Sequence, residues 1–84
     1  MHETGLLKNI FRYLAQKESL SLRRIKKVYI SLSEFGSISP EHFQQHYQKE
    51  SVGTAWERLD IEIKKIPYGP ELEITQLDFE ETRF

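Results

Sequence analysis

Eighty-four residues suffice for one domain, because a chain this short buries only about 60% of its unfolded surface and cannot divide that between two cores. A hydrophobic share of 38%, a charged share of 30%, five Phe, four Tyr and a Trp lie outside the disordered range, so the chain is expected to fold. The net charge of −1, with acids and bases interspersed, disfavours nucleic acid and membrane surfaces as partners, and the absence of cysteine excludes disulfides, thiolate nucleophiles and cysteine-based zinc or iron–sulfur sites.

In chain order, Thr4 is placed to cap a first helix over about 5–18, in which Leu6, Leu7, Ile10, Phe11 and Leu14 recur at helical spacing. After a mixed stretch from Ser19 to Arg24, Val28, Ile30 and Leu32 alternate with Lys27, Tyr29 and Ser31, which predicts a strand over about 25–33. Ser33 to Ser37 reads as a loop. Ser39-Pro40-Glu41 then starts a second helix over about 40–50: Ser39 caps, Pro40 takes the first helical position and Glu41 faces the positive dipole end. Ile38 and Phe43 occupy hydrophobic-staple positions, and Phe43 with Tyr47 forms a thin apolar stripe that packs on one face.

Leu59, Ile61 and Ile63 alternate with charged residues as a second strand, and Ile66-Pro67-Tyr68-Gly69-Pro70 is too rich in proline to continue it. A hairpin into a third strand is expected. There Leu72 and Ile74 share one parity while Leu77 and Phe79 share the other, so a β-bulge at Thr75-Gln76 would bring all four to the core. The order α-β-α-β-β predicts a single α+β domain over residues 1–84, with a three-stranded mixed sheet and both helices on one face. No apolar run reaches the roughly 20 residues of a membrane span and the start lacks a signal-peptide layout, so a cytoplasmic location is expected.

The chemistry concentrates at the start. A free α-amine titrates near about pH 8 and an imidazole near about 6.5, so both offer lone pairs to a metal close to neutrality. With His at position two, the Met1 amine, the His2 amide nitrogen and its imidazole Nδ1 close successive small chelate rings, a nitrogen set that suits nickel(II) or copper(II). The Glu3 backbone nitrogen, the Glu3 carboxylate or a donor elsewhere would complete it. His42 and His46, at i and i+4 on the second helix, form a secondary candidate for metal, although no acid stands between them in the protease pattern and solvated surface histidines share this spacing.

Other constellations read as structural. Glu34, Glu50 and Glu57 fall in no motif for acid–base work, and no catalytic residues or nucleotide-binding loop are visible. Arg23, Arg24, Lys26 and Lys27 are expected to meet acids of the neighbouring strands. Trp56 reads as a core edge or lid.

Met1-His2-Glu3, Leu6-Leu7, the strand Val28–Ser33, Ser39-Pro40-Glu41 and Gly53-Thr54 followed by Leu59-Asp60-Ile61-Glu62 resemble, in order and spacing, the nickel metallochaperones of hydrogenase and urease maturation, the HypA/HybF family. The resemblance covers nearly the whole chain. It implies that Met1, His2 and Glu3 bind Ni(II), and that the partners are a maturation GTPase and a nickel-enzyme precursor, without enzymatic activity of the chain's own. The family inserts a four-cysteine zinc ribbon between its last two strands, where this chain has only Ile66 to Pro70, so no zinc is expected and delivery is affected more than binding. Ser39 stands where relatives often carry an acid that orients the site. The alternative expectation is a metal-independent interaction module in hydrogenase maturation, docking through the His42/Tyr47 surface of the second helix.

Overall fold

The structure, a computed structural model, describes the backbone of residues 3–81 and side chains from residue 5 onward. Its elements are α1 (Glu3–Ser21), β1 (Ile25–Ser33), α2 (Pro40–Glu50), β2 (Asp60–Ile66) and β3 (Leu72–Phe79).

Leu7, Ile10 and Leu14 bury one stripe of α1, as the periodicity predicts. The helix is longer than expected at both ends, so Thr4 lies inside it and does not cap it. Its stop is conformational: Leu22 adopts φ 57 and its amide donates to the Glu18 carbonyl at 2.9 Å, an αL cap built without the usual glycine. The Glu18 carboxylate also accepts the Ile25 amide at 2.9 Å, tying the end of α1 to the start of β1.

The sheet order is β2-β1-β3, with β1 parallel to β2 and antiparallel to β3. The expected hairpin between the last two strands is therefore absent. β2 and β3 flank β1 on opposite sides, and residues 67–71 carry the chain past the end of β1. Two backbone bonds fix that crossing: the Glu34 amide donates to the Ile66 carbonyl at 2.8 Å and the Ser33 amide to the Glu71 carbonyl at 3.2 Å. Charge explains the placement, since both outer strands carry Glu or Asp (and β2 also Lys) at positions a central strand would enclose. In β1 even Ser31 and Ser33, on the far face, are buried.

Tyr29 pairs with Gln76 and Ile30 with Ile74, which leaves Thr75 as the extra residue of the predicted bulge. Leu72, Ile74, Leu77 and Phe79 all pack against the core as a result. α2 follows the sequence reading closely. The Ser39 hydroxyl accepts the His42 amide at 3.1 Å, and the staple residues Ile38 and Phe43 are both buried.

One core forms between Leu7, Ile10 and Leu14 of α1, Phe43 and Tyr47 of α2, and Val28, Ile30 and Leu32 of β1, so both helices cover one face. The opposite face is polar: Lys27 Nζ lies 3.1 Å from Glu62 and 3.8 Å from Asp60, and the Tyr29 hydroxyl donates to Asp78 at 2.7 Å. Each helix runs against β1. The end of α1 meets the start of β1 through Glu18, and α2 returns the chain between two parallel strands. Both helices consequently begin at the end of the sheet where β1 finishes. No helix among the described residues is long and apolar enough to cross a membrane.

Candidate functional site

Two groups of residues are candidates for metal, the terminal triplet Met1-His2-Glu3 and the His42/His46 pair of α2. Met1 and His2 lie outside the described residues, and of Glu3 the backbone alone is described, as the first residue of α1. The triplet thus leads into a helix without an intervening linker. That helix is held to the core by Leu7 and Leu14, at 1% and 0% exposure.

His42 and His46 stand on the first two turns of α2. Their Nε2 atoms are 3.2 Å apart and their rings meet edge to face at 4.8 Å between centroids. Phe43 and Tyr47, each one residue further along, drive the same two turns into the core, with His42 exposed and His46 half-buried beside them. The local geometry follows from sequence: the Ser39 cap sets the first turn and the i, i+4 spacing stacks the imidazoles along one side. Among the described residues no group of three or more His, Asp or Glu is arranged to hold a metal ion.

Behind α2 lies an aromatic cluster. Phe11 stacks on Trp56 at 5.6 Å with 7° between ring planes and meets Tyr47 edge-on at 5.7 Å. Trp56 is the core edge that the sequence suggested. Tyr47 differs from the expectation: it is 4% exposed, its hydroxyl donates to the Trp56 carbonyl at 2.5 Å, and burial pushes that hydroxyl far above the ordinary tyrosine range. It cannot belong to a docking surface with His42, because its apolar ring is what fixes α2 to α1.

The remaining perturbed groups hold the sheet together. A hydrogen bond to Glu62 raises the Lys27 ammonium, with burial acting against it. Asp78 is lowered by hydrogen bonds from Gln76 and then from Tyr29, whose own hydroxyl is raised by the bond to Asp78. The basic run behaves as predicted at Lys27, while Arg23 turns its Nε to the Glu80 carbonyl at 2.9 Å. Glu57 accepts the Gly53 amide at 3.3 Å, a loop-closing contact and no catalytic one. Sequence reasoning missed Ser31, whose hydroxyl is buried with no partner among the described residues on the floor of a shallow hollow lined by Tyr29, Glu62, Lys64, Glu73 and Thr75. The alternation placed Ser31 on the polar face but gave no sign that the flanking strands would cover it.

The chain is similar to the hydrogenase maturation factor HypA of Trichodesmium erythraeum, with 34% identity over 67 residues. The matched stretch is 80% of this chain and 57% of the relative, so the chain spans a little over half of that protein's length. No family model matches it.

Proposed function

Because this chain belongs to the HypA/HybF family of hydrogenase maturation factors, we propose that it is a nickel-binding accessory domain that takes its cargo on Met1, His2 and Glu3. The Met1 amine, the His2 amide nitrogen and the His2 imidazole would bind Ni(II) in adjoining chelate rings, with Glu3 supplying the fourth donor or a carboxylate beside it. Nitrogen donors in this arrangement select Ni(II) and Cu(II) over the hard cations. The observation that carries the reading is the direct passage of the triplet into α1, whose buried Leu7, Ile10 and Leu14 hold its start in place. A terminal chelate on a fixed helix is accessible yet positioned.

The role follows from that placement. A site at a chain end exchanges metal easily, and protons compete for the same lone pairs, so acidification releases the cargo. The chain acts as a cytoplasmic carrier in the maturation of nickel enzymes such as hydrogenase and performs no catalysis itself. A maturation GTPase and an enzyme precursor are the partners this role requires. These 84 residues contain no cysteine, so no cysteine zinc ribbon lies within them and the terminal donors do not depend on one.

Nickel titration of three proteins tests the site: the chain with its native terminus, the His2→Ala variant and a form extended by one residue before Met1. The native chain should bind one equivalent tightly, and both altered forms should lose that phase. Equal binding by all three would overturn the terminal chelate.

A further inference from the structure

We propose that the outer edge of β2 pairs antiparallel with β2 of a second copy of this chain, about a two-fold axis through Ile63, joining two three-stranded sheets into one. The edge is open. β2 is bonded to β1 on one side, and no described residue takes up the backbone groups of its other side. Which groups those are follows from a single bond. The Ile66 carbonyl accepts the Glu34 amide, so Ile66 turns its backbone toward β1. With the uninterrupted register of β1 and β2, Asp60, Glu62 and Lys64 do the same, while Ile61, Ile63 and Lys65 turn theirs outward.

Charge selects both the occupant and the register. Antiparallel strands bond only where outward residues stand opposite one another, so the two-fold axis must pass through a residue and not between two. An axis through Ile63 sets Ile63 opposite its equivalent and Ile61 opposite Lys65 of the second copy, pairs that exchange both backbone bonds. Between them Glu62 faces Lys64 of the second copy, and Lys64 faces its Glu62. These are the non-hydrogen-bonded positions, where Cα atoms approach to about 4.5 Å and opposite charges attract most. An axis through Glu62 would instead set Glu62 against itself, and one through Lys64 would set Lys64 against itself. β3 carries Glu73 and Asp78 and no base, so it has nothing to match against its own copy.

The charges that keep β2 out of the middle of one sheet do not keep it out of the middle of two. Enclosing a charge is costly where it is left unpaired, and here Glu62 and Lys64 each meet the opposite sign. Glu62 takes Lys27 at 3.1 Å within one copy, whereas Lys64 has no ion pair among the described residues. Lys64 therefore gains the most. On the helix side, Ile61 and Ile63 are half-buried in a single copy. Pairing brings Ile63 against its equivalent and lays the Lys65 stem over Ile61. Pro67, at the next outward position, has no amide to give, which ends the ladder at Lys65.

The test uses the whole chain with a chelator present. Analytical ultracentrifugation should show the mass doubling as concentration rises into the millimolar range. Amide hydrogen exchange followed by NMR then reads the edge itself: Ile61, Ile63 and Lys65 should exchange more slowly at high concentration than at low, while Lys64, already turned to β1, should not change. Lys64→Glu sets acid against acid across the axis and Glu62→Lys sets base against base. Each should weaken self-association about tenfold or more, and an equimolar mixture of the two should pair as well as the parent. Circular dichroism checks that both variants keep the native sheet, and the exchange measurement on the parent decides the matter if either does not. A chain that stays monomeric throughout, concentration-dependent protection on β3 instead, or a mixture no better paired than its components would overturn the edge pairing. Nickel is absent from every arm, so the outcome is independent of the terminal chelate.

Discussion

The Tyr47 hydroxyl donates to the Trp56 carbonyl across nine residues of sequence, so a side chain of α2 terminates the loop that follows it. Both rings pack on Phe11 of α1, and the bond therefore joins the two helices and the approach to β2 in one cluster. Tyr47→Phe keeps the ring and removes the donor, leaving the carbonyl without it. The variant should lose about 1–2 kcal/mol, seen as a lower urea midpoint with an unchanged slope when Trp56 fluorescence is followed.

The same hydroxyl sets an alkaline limit. Burial raises its folded pKa above the unfolded value, so the unfolded chain gives up the proton first. Stability is complete below the unfolded tyrosine pKa and falls as pH rises above it, by about 1.4 kcal/mol per pH unit for this group beyond about pH 10. Tyr47→Phe should decline less steeply between about pH 10 and 11. An identical slope in both proteins would show that the hydroxyl titrates freely in the fold.

On the polar face the sign reverses. Asp78 is lowered by Gln76 and by Tyr29, so its contribution is present above the ordinary carboxylate pKa and is lost as pH falls through the depressed folded value. Asp78→Asn should be less stable than the parent at neutral pH and should show a flatter acid limb below about pH 4. Denaturant midpoints measured across that range check both parts.

Local signals explain what the sequence made legible. Ser39-Pro40-Glu41 fixed the start of α2 because capping is an interaction over three residues, and the parity change after Ile74 located the bulge because the core imposes period two. The order of strands was not local. Pro67 and Pro70 signal a turn, yet whether that turn joins neighbours or crosses over a third strand depends on which strand the helices leave in the middle. The charged residues of β2 and β3 carried that information, as edge strands do. At the metal residues, spacing predicted a His42/His46 pair, but a 3.2 Å approach requires rotamers that no spacing specifies.

Leu22 is the fold's clearest local conflict. At φ 57 and 87% exposure it has the strain of the left-handed region without burial to offset it. Glycine relieves the strain at some cost in unfolded-chain entropy, so Leu22→Gly should stabilise by about 0.5–1 kcal/mol. Leu22→Val, branched at Cβ, should do the opposite. Thermal unfolding of the two variants beside the parent gives the comparison, and equal loss in both would mean that the leucine side chain is held by packing.

The crossing at residues 67–71 makes a final prediction. Ile66 is fixed to Glu34 and Glu71 to Ser33 by separate backbone bonds at the end of β1 and just beyond it, so each end of the crossing is held without the other. Tyr68, between them, is 84% exposed, and Gly69 turns the chain at φ 127, where an added Cβ would meet the Ile66 side chain at 2.9 Å. Lengthening the segment between Tyr68 and Gly69 should therefore leave the sheet intact. Ten added Gly/Ser residues raise the loop-closure cost by about 1 kcal/mol on the logarithmic dependence. The insertion variant should keep the native circular dichroism spectrum and lose no more than about 2 kcal/mol in urea. Collapse of the fold on insertion would mean that the five-residue crossing itself, and not its two anchored ends, holds β2 and β3 against β1.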